Sequence, residues 1–354
     1  MSMRPYNIEI FRPDLTLRDH TNTSEVALED DYLSPQDNTI ELLEVAAEVG
    51  DYIYITREQF RYFGRITAVT SAEELRTTLS FRSFLSAFDA QILFDTDLQG
   101  TGTLEGALAN MITDYWIQTS DTAQKITGLS VVADTSTSNW GFNLKSEKEG
   151  AHHICTDFYE TFVRRSMEKY RVGIYVEPDV QHKQISLHIR RNPAATITVE
   201  ADLPNIYQKN VVVKKTDASV NKLIIYNEDD YIQSLTYYLH SDGSYDQSDT
   251  DRITPVLFKV TSVSVEEGTT FARAAMSAAS EEFGSTEFNN IIELTMANED
   301  TLVGPDTLEY GQVVNVISDG VRYKSILTGK EIGETTKLIF GTIRLDLTKL
   351  VRRK

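Results

Sequence analysis

A segment near one end of this chain returns near the other. Gly50-Asp51-Tyr52-Ile53-Tyr54-Ile55 has its counterpart in Gly311-Gln312-Val313-Val314-Asn315-Val316, and four turn residues later Phe60-Arg61-Tyr62 is matched by Val321-Arg322-Tyr323. Ile66-Thr67 and Leu327-Thr328 keep the same offset of 261 residues. After a loop two residues shorter in the second copy, Thr77-Thr78-Leu79-Ser80-Phe81 faces Thr336-Lys337-Leu338-Ile339-Phe340. Each copy reads strand, turn, strand, loop, strand, the three-stranded meander from which small barrels are built. A duplication whose copies stand so far apart predicts two like β-barrels at opposite ends of the chain, with other material inserted between them.

Period-two alternation recurs outside the repeat. It marks strands over 6–11, 51–56 and 65–69, then over 172–176, 184–189, 196–199, 211–213 and 223–226. Further runs follow at 258–265, 291–296, 313–317, 323–327 and 337–347. In each, apolar side chains fall on one face, and β-branched and aromatic residues dominate, as strands favour. Three helices interrupt this pattern. Over 103–118, Leu104, Leu108, Met111, Ile112, Tyr115 and Trp116 form one apolar stripe. A second helix starts at Asp157, an N-cap with Glu160 three residues on, and buries Phe158, Phe162, Val163, Met167 and Tyr170 while Glu160 pairs with Arg164 outside. The third, over 270–283, carries Ala272, Ala274, Ala275, Ala278 and Ala279 for close packing on a sheet, with Gly284 placed for a left-handed cap.

The polar run 95–102, the exit at Arg190-Arg191-Asn192-Pro193 and the long unpatterned loop 241–251 mark changes of structure. The expected division is a first β-barrel domain over 1–94 and an α+β domain over 95–194. A second β-barrel domain takes 195–230 and 304–354, and an α+β domain with the alanine-rich helix takes 231–303. The fold class is therefore mainly β with an α+β insertion: two similar β-barrel domains plus smaller α+β domains.

Charge narrows the function. Against 34 Lys and Arg stand 53 Asp and Glu, a net −19, the wrong sign for gripping nucleic acid or an anionic membrane surface. Cys155 is the single cysteine, so no intrachain disulfide framework and no thiolate cluster for zinc can form. No run reaches the eighteen or so apolar residues of a membrane span, and Met1-Ser2-Met3-Arg4-Pro5-Tyr6 leads into no secretory apolar region. The expectation is folding in a reducing cytosol without stable membrane insertion.

In the order and spacing of its elements the chain resembles the tail hub, or baseplate hub, proteins of long-tailed bacteriophages, including the hub part of tail-associated lysins. The resemblance rests on Gly50-Asp51-Tyr52-Ile53-Tyr54-Ile55 with Tyr62-Phe63-Gly64-Arg65-Ile66, and on Val220-Asn221-Lys222-Leu223-Ile224-Ile225. It continues through the alanine-rich helix leading to 288–296 and a closing barrel over 308–347. It implies a homotrimer whose six barrels form a pseudo-sixfold ring, seated on a sixfold tail tube on one side and a threefold tip on the other. The implied partners are neighbouring tail proteins (the distal tail or tube protein, the tape measure, the tip or receptor-binding protein). DNA would pass through the ring without specific binding, and an acidic lumen would limit sticking. The implied place is the virion tail, assembled in the host cytoplasm.

Candidate chemistry is sparse. His152-His153 with Cys155 is the sole His/Cys cluster; neighbouring residues on a strand face opposite ways, no second cluster completes a four-ligand site, and Cys155 is expected to be a buried inert thiol. Asp242, Asp246, Asp249 and Asp251 could offer oxygen ligands to calcium, but their spacing fits no EF-hand loop. No phosphate-cradling loop, nucleophile elbow or His-Glu-x-x-His occurs. Arg164-Arg165 and Arg352-Arg353-Lys354 are the sharpest basic clusters, the latter suited to an acidic partner ring. The expectation is no enzyme, no catalytic, cofactor-binding or metal site, and no cofactor. Two other readings remain open. One is a cell-wall-active tail enzyme, although the matched barrel ends near residue 347 and leaves no length for a wall-degrading module. The other is a receptor- or carbohydrate-binding module, which a tyrosine-rich surface (17 tyrosines) would suit.

Overall fold

The computed structural model describes residues 5–58, 60–71, 75–138, 140–142, 144, 146, 148, 150–213, 220–240, 245–250, 252, 254, 256–265, 270–283, 288, 290–298, 300 and 307–342. The cap expected at Gly284, the aspartates Asp242 and Asp251, the last strand beyond residue 342 and the tail Arg352-Arg353-Lys354 lie outside these residues.

The chain is mainly β, and its sheets curl as half-barrels. The first sheet runs Leu17–Thr23, Tyr6–Phe11, Tyr52–Arg57, Phe60–Ser71, Arg76–Ser83, Asn38–Leu43, all antiparallel. Alternation puts Ile8, Ile10, Ile53, Ile55, Ile66, Leu79 and Phe81 into one buried core. The second sheet runs Ile197–Glu200, Val313–Ser318, Val321–Ile332, Thr335–Phe340, Asn290–Ala297, Ile206–Val213. It buries Ile292, Leu294, Met296, Val314, Val316, Leu327, Leu338 and Phe340.

The duplication read from sequence is present in the backbone. Tyr52–Arg57 and Val313–Ser318, like Phe60–Ser71 and Val321–Ile332, begin and end at the same 261-residue offset. A bulge between Ile66 and Ala68 recurs between Leu327 and Gly329. Before each meander a glycine takes a positive φ, +96° at Gly50 and +72° at Gly311. Their N–H groups then reach the carbonyls of Ile66 at 2.9 Å and Leu327 at 2.8 Å. The copies diverge at their flanks: Tyr6–Phe11 joins the first meander antiparallel, whereas Ile197–Glu200 joins the second in parallel.

Between the sheets lies a layer of helices on a small sheet of Leu129–Ala133, Gln184–Arg191 and Val172–Asp179, with the ribbon Gln91–Asp95/His153–Asp157 beside it. Leu104–Ile112 is α-helical, and Thr103 caps it by accepting from the Gly106 N–H. Sequence periodicity gives one α-helix to residue 118, but the last turn, Thr113–Ile117, widens to i→i+5 bonding, with Gln118 N–H on the Thr113 carbonyl at 2.7 Å. The Thr113 hydroxyl, bonded back to the Ala109 carbonyl at 2.7 Å, competes with the regular ladder at that junction. Tyr159–Arg164 and Ser166–Tyr170 are wound in the same wide manner. Asp157 accepts from the Glu160 N–H as expected of a cap, and Arg164 bonds both Glu160 and Glu168. Inside, Phe88, Trp116, Phe158, Phe162 and Phe94 form a run of ring contacts that ties this layer to the outer side of the first sheet. Offset and edge-on aromatic packing adds to what their burial alone contributes.

The fourth unit is a sheet of Tyr245–Asp246, Ser234–Leu239, Lys222–Asn227 and Phe258–Val263, with helix Phe271–Phe283 on it. Ala275, Ala279 and Phe283 meet Leu223, Ile225, Tyr237 and Leu239 in a separate small core.

Candidate functional site

The place where side chains from distant parts of the chain converge is a joint between the two sheets. Strand Leu28–Asp31 belongs by sequence to the first meander's surroundings, yet it pairs with the second: Leu28 opposite Ile332, Glu29 opposite Glu331, Asp30 opposite Lys330, Asp31 opposite Gly329. Tyr32 continues the ladder by donating its N–H to the Thr328 carbonyl at 2.9 Å. On its other side the strand is held by Asn38, whose side chain accepts from the Glu29 N–H at 2.6 Å and donates to the Glu29 carbonyl at 3.0 Å. Leu28 and Ile332 are both buried in the first sheet's core, so that core already contains a residue of the second sheet.

Above this strand sits a cluster of phenols. Tyr310 donates to the Asp30 carboxylate at 2.7 Å, and Tyr159 donates to the Tyr32 carbonyl at 2.6 Å. The Tyr32 hydroxyl accepts from the Ile174 N–H at 2.8 Å, and Tyr175 donates to the Tyr310 carbonyl at 3.0 Å. Lys330 spends its ammonium on the Leu308 carbonyl at 2.6 Å and lies over the Tyr310 ring at 5.4 Å. Arg190 lies 4.2 Å over the Tyr175 ring and 3.5 Å from Glu309. Beside these groups opens a cleft of about 520 Å³.

Burial pushes Tyr32, Tyr159, Tyr175 and Tyr310 above the ordinary phenol range, so all four stay neutral phenols with apolar bodies. It also raises the Asp30 carboxyl, against which the Tyr310 hydroxyl and the Lys330 charge act. What the arrangement can do is hold the two sheets and the helical layer in a fixed relation.

The residues singled out from sequence lie elsewhere. His152 bonds Asp97 at 2.9 Å, which raises the imidazole, and Cys155 is exposed, not buried, with its thiol 3.8 Å from the Gln91 amide oxygen. The reason is register: His153 and Cys155 alternate with the inward Ile154 on an outer ribbon strand. Asp246 accepts from the Ser248 N–H and contacts His240 at 3.0 Å, while Asp249 is exposed. Arg165 lies 5.4 Å over the Phe142 ring. Among the described residues no group of three or more His, Cys, Asp or Glu converges to hold a metal, and no helix is long and apolar enough to cross a membrane. The joint residues escaped sequence reading because Tyr159 and Tyr175 look like ordinary helix and strand tyrosines and Tyr32 and Tyr310 lie in connecting segments. Only the tertiary fold brings them together.

No protein-family description and no curated protein matches the chain. Solved structures do resemble it over almost its whole length. A tail protein from Neisseria meningitidis superposes with a TM-score of 0.57 at 14% identity, covering 96% of this chain and 97% of that one. The 43 kDa tail protein of prophage MuSo2 from Shewanella oneidensis gives 0.55 at 13%, covering 96% and 98%. Prophage tail protein gp18 from Listeria monocytogenes gives 0.51 at 10%, covering 98% and 97%. At such identities the similarity is one of fold: the chain has the fold of these tail proteins.

Proposed function

We propose that this chain is a structural protein of a phage tail, forming a homotrimeric ring at the distal tip. In that ring it joins the sixfold tube to the threefold tip and surrounds the DNA channel. The observation that carries the reading is the duplicated meander, repeated down to its bulge, within a fold shared end to end with tail proteins. Three chains with two like sheets each present six similar units, which is how a threefold body can meet a sixfold one. The neighbouring tube, tape-measure and tip proteins would be its partners, in the virion tail. The phenol joint supports a mechanical role, since it fixes one sheet against the other.

Sedimentation at micromolar concentration tests this reading, with a three-chain species as the expected outcome and a strict monomer as the outcome against it. Negative-stain images of tails labelled for this chain should place it at the distal end. Clearing of bacterial walls in a zymogram, abolished by one carboxylate substitution, would instead establish the enzymatic reading.

A further inference from the structure

The two meanders are equivalent along their length, but one edge differs. In the second, the long strand Val321–Ile332 shares one edge between two partners: Val313–Ser318 takes its first half and Leu28–Asp31 takes residues 329–332. In the first, Tyr52–Arg57 takes the equivalent first half of Phe60–Ser71, and no described strand takes residues 68–71 on that side. Exposure follows the pairing. Thr328, Gly329 and Ile332 are buried, whereas their counterparts Thr67 and Ala68, with Thr70, are exposed.

A matching donor exists at the far end of the second sheet. Leu28–Asp31 is held beside Asn38–Leu43 by the Asn38 side chain, and Ile206–Val213 pairs directly with Asn290–Ala297, the equivalent strand of the second sheet, although a small sheet and a helix intervene in the chain. Ile206–Val213 is the outermost strand of its sheet, with Tyr207 63% and Val212 38% exposed. The register can be carried across. Asn38 and Ile292 sit opposite the equivalent Phe81 and Phe340; Asn38 holds Glu29, and Ile292 pairs with Val211. Glu29 therefore corresponds to Val211, and Asp30 to Val212.

The geometry points to Ile206–Val213 of one copy pairing antiparallel with residues 68–71 of a second copy, repeating between chains the joint that Leu28–Asp31 makes within one. Val212 then stands opposite Val69 and Val211 opposite Thr70, β-branched pairs that strands favour. An open edge left unpaired invites association, and here the contact is heterologous: donor and acceptor are different surfaces, so copies add head to tail until a ring closes. The inference deepens the proposed ring by naming the edges that build it, and it rests on that reading.

Two single-cysteine chains, Val69→Cys and Val212→Cys, each made with Cys155→Ser, test it. Directly opposed residues of antiparallel strands lie about 4.5–5.5 Å apart at Cα, within disulfide reach. On oxidation the mixture should give a two-chain covalent species on a non-reducing gel, absent from either variant alone. A Val69 variant that crosslinks to itself overturns the pairing. So does a mixture that assembles to wild-type size by sedimentation yet never crosslinks, which leaves the ring standing; a wild-type chain that never assembles removes the ring itself. A second variant uses the backbone. Tyr32 bonds Thr328, so alternate residues, Lys330 and hence Val69, aim their N–H groups at this edge. Val69→Pro removes that donor without touching the ladder on the other side. It should sediment as a single chain with an unchanged far-UV circular dichroism spectrum, and assembly at wild-type size would overturn the pairing.

Discussion

Tyr310 is the residue on which the joint turns, because its ring, hydroxyl and carbonyl each hold a different neighbour: Lys330, Asp30 and Tyr175. Tyr310→Phe keeps the ring and leaves the Asp30 carboxylate short of a donor, so it should cost about 1–3 kcal/mol in urea unfolding. Asp30 itself carries a pH signature. Burial raises its carboxyl, so the folded chain keeps that proton to higher pH than the unfolded chain does. Its contribution to stability therefore falls as pH rises from the ordinary carboxyl value through the folded one. Asp30→Asn should gain stability relative to wild type across that window, in unfolding curves taken from acid to neutral pH; a constant difference would contradict this assignment. None of it was legible in the sequence. A tyrosine-rich surface was the reading, whereas Tyr32, Tyr62 and Tyr159 are buried, since a phenol is buried readily once its hydroxyl finds a partner.

At the scale of elements the sequence was most informative where one period held without interruption. The meanders and the constant offset could be read, because a half-buried strand must alternate, but the bounds could not: the runs 65–69 and 323–327 are the middles of Phe60–Ser71 and Val321–Ile332. The crossing of Leu28–Asp31 could not: Leu-Glu-Asp-Asp has the look of a polar turn, and its partner lies about three hundred residues away. The wide helical turns also went unseen, since a stripe at helical spacing does not report which carbonyl each N–H selects. Two predictions belong here. Ile332→Ala empties a site in the first core from a strand of the second sheet, and should cost about 2–5 kcal/mol in the same unfolding measurement. Ala279→Leu should cost about 1–3 kcal/mol by overpacking the helix Phe271–Phe283 against its sheet, with Met276→Leu on the exposed side close to neutral.

Over the whole molecule, one large core reaches from Phe11 through the helical layer to Val313 and Ile326, while the unit around helix Phe271–Phe283 has a small core made only of its own residues. Hydrogen exchange should accordingly show the amides of Lys222–Asn227 and Ser234–Leu239 opening ahead of the two half-barrels, which should open together. Equal protection throughout would count against that division. The net −19 has a predicted location at this scale too: in an assembled ring the channel wall should be acidic, and a basic wall would refute the conduit. The strand Leu28–Asp31 finally sets a timetable for the ribosome. At about 5–20 residues per second, roughly 15–60 s pass between its synthesis and that of its partner. Throughout that wait Glu29, Asp30 and Asp31 keep the waiting strand acidic, and charge is what deters an unpaired strand from annealing to a neighbouring nascent chain. The acidity that hides this strand from pattern reading is also its protection until its partner emerges.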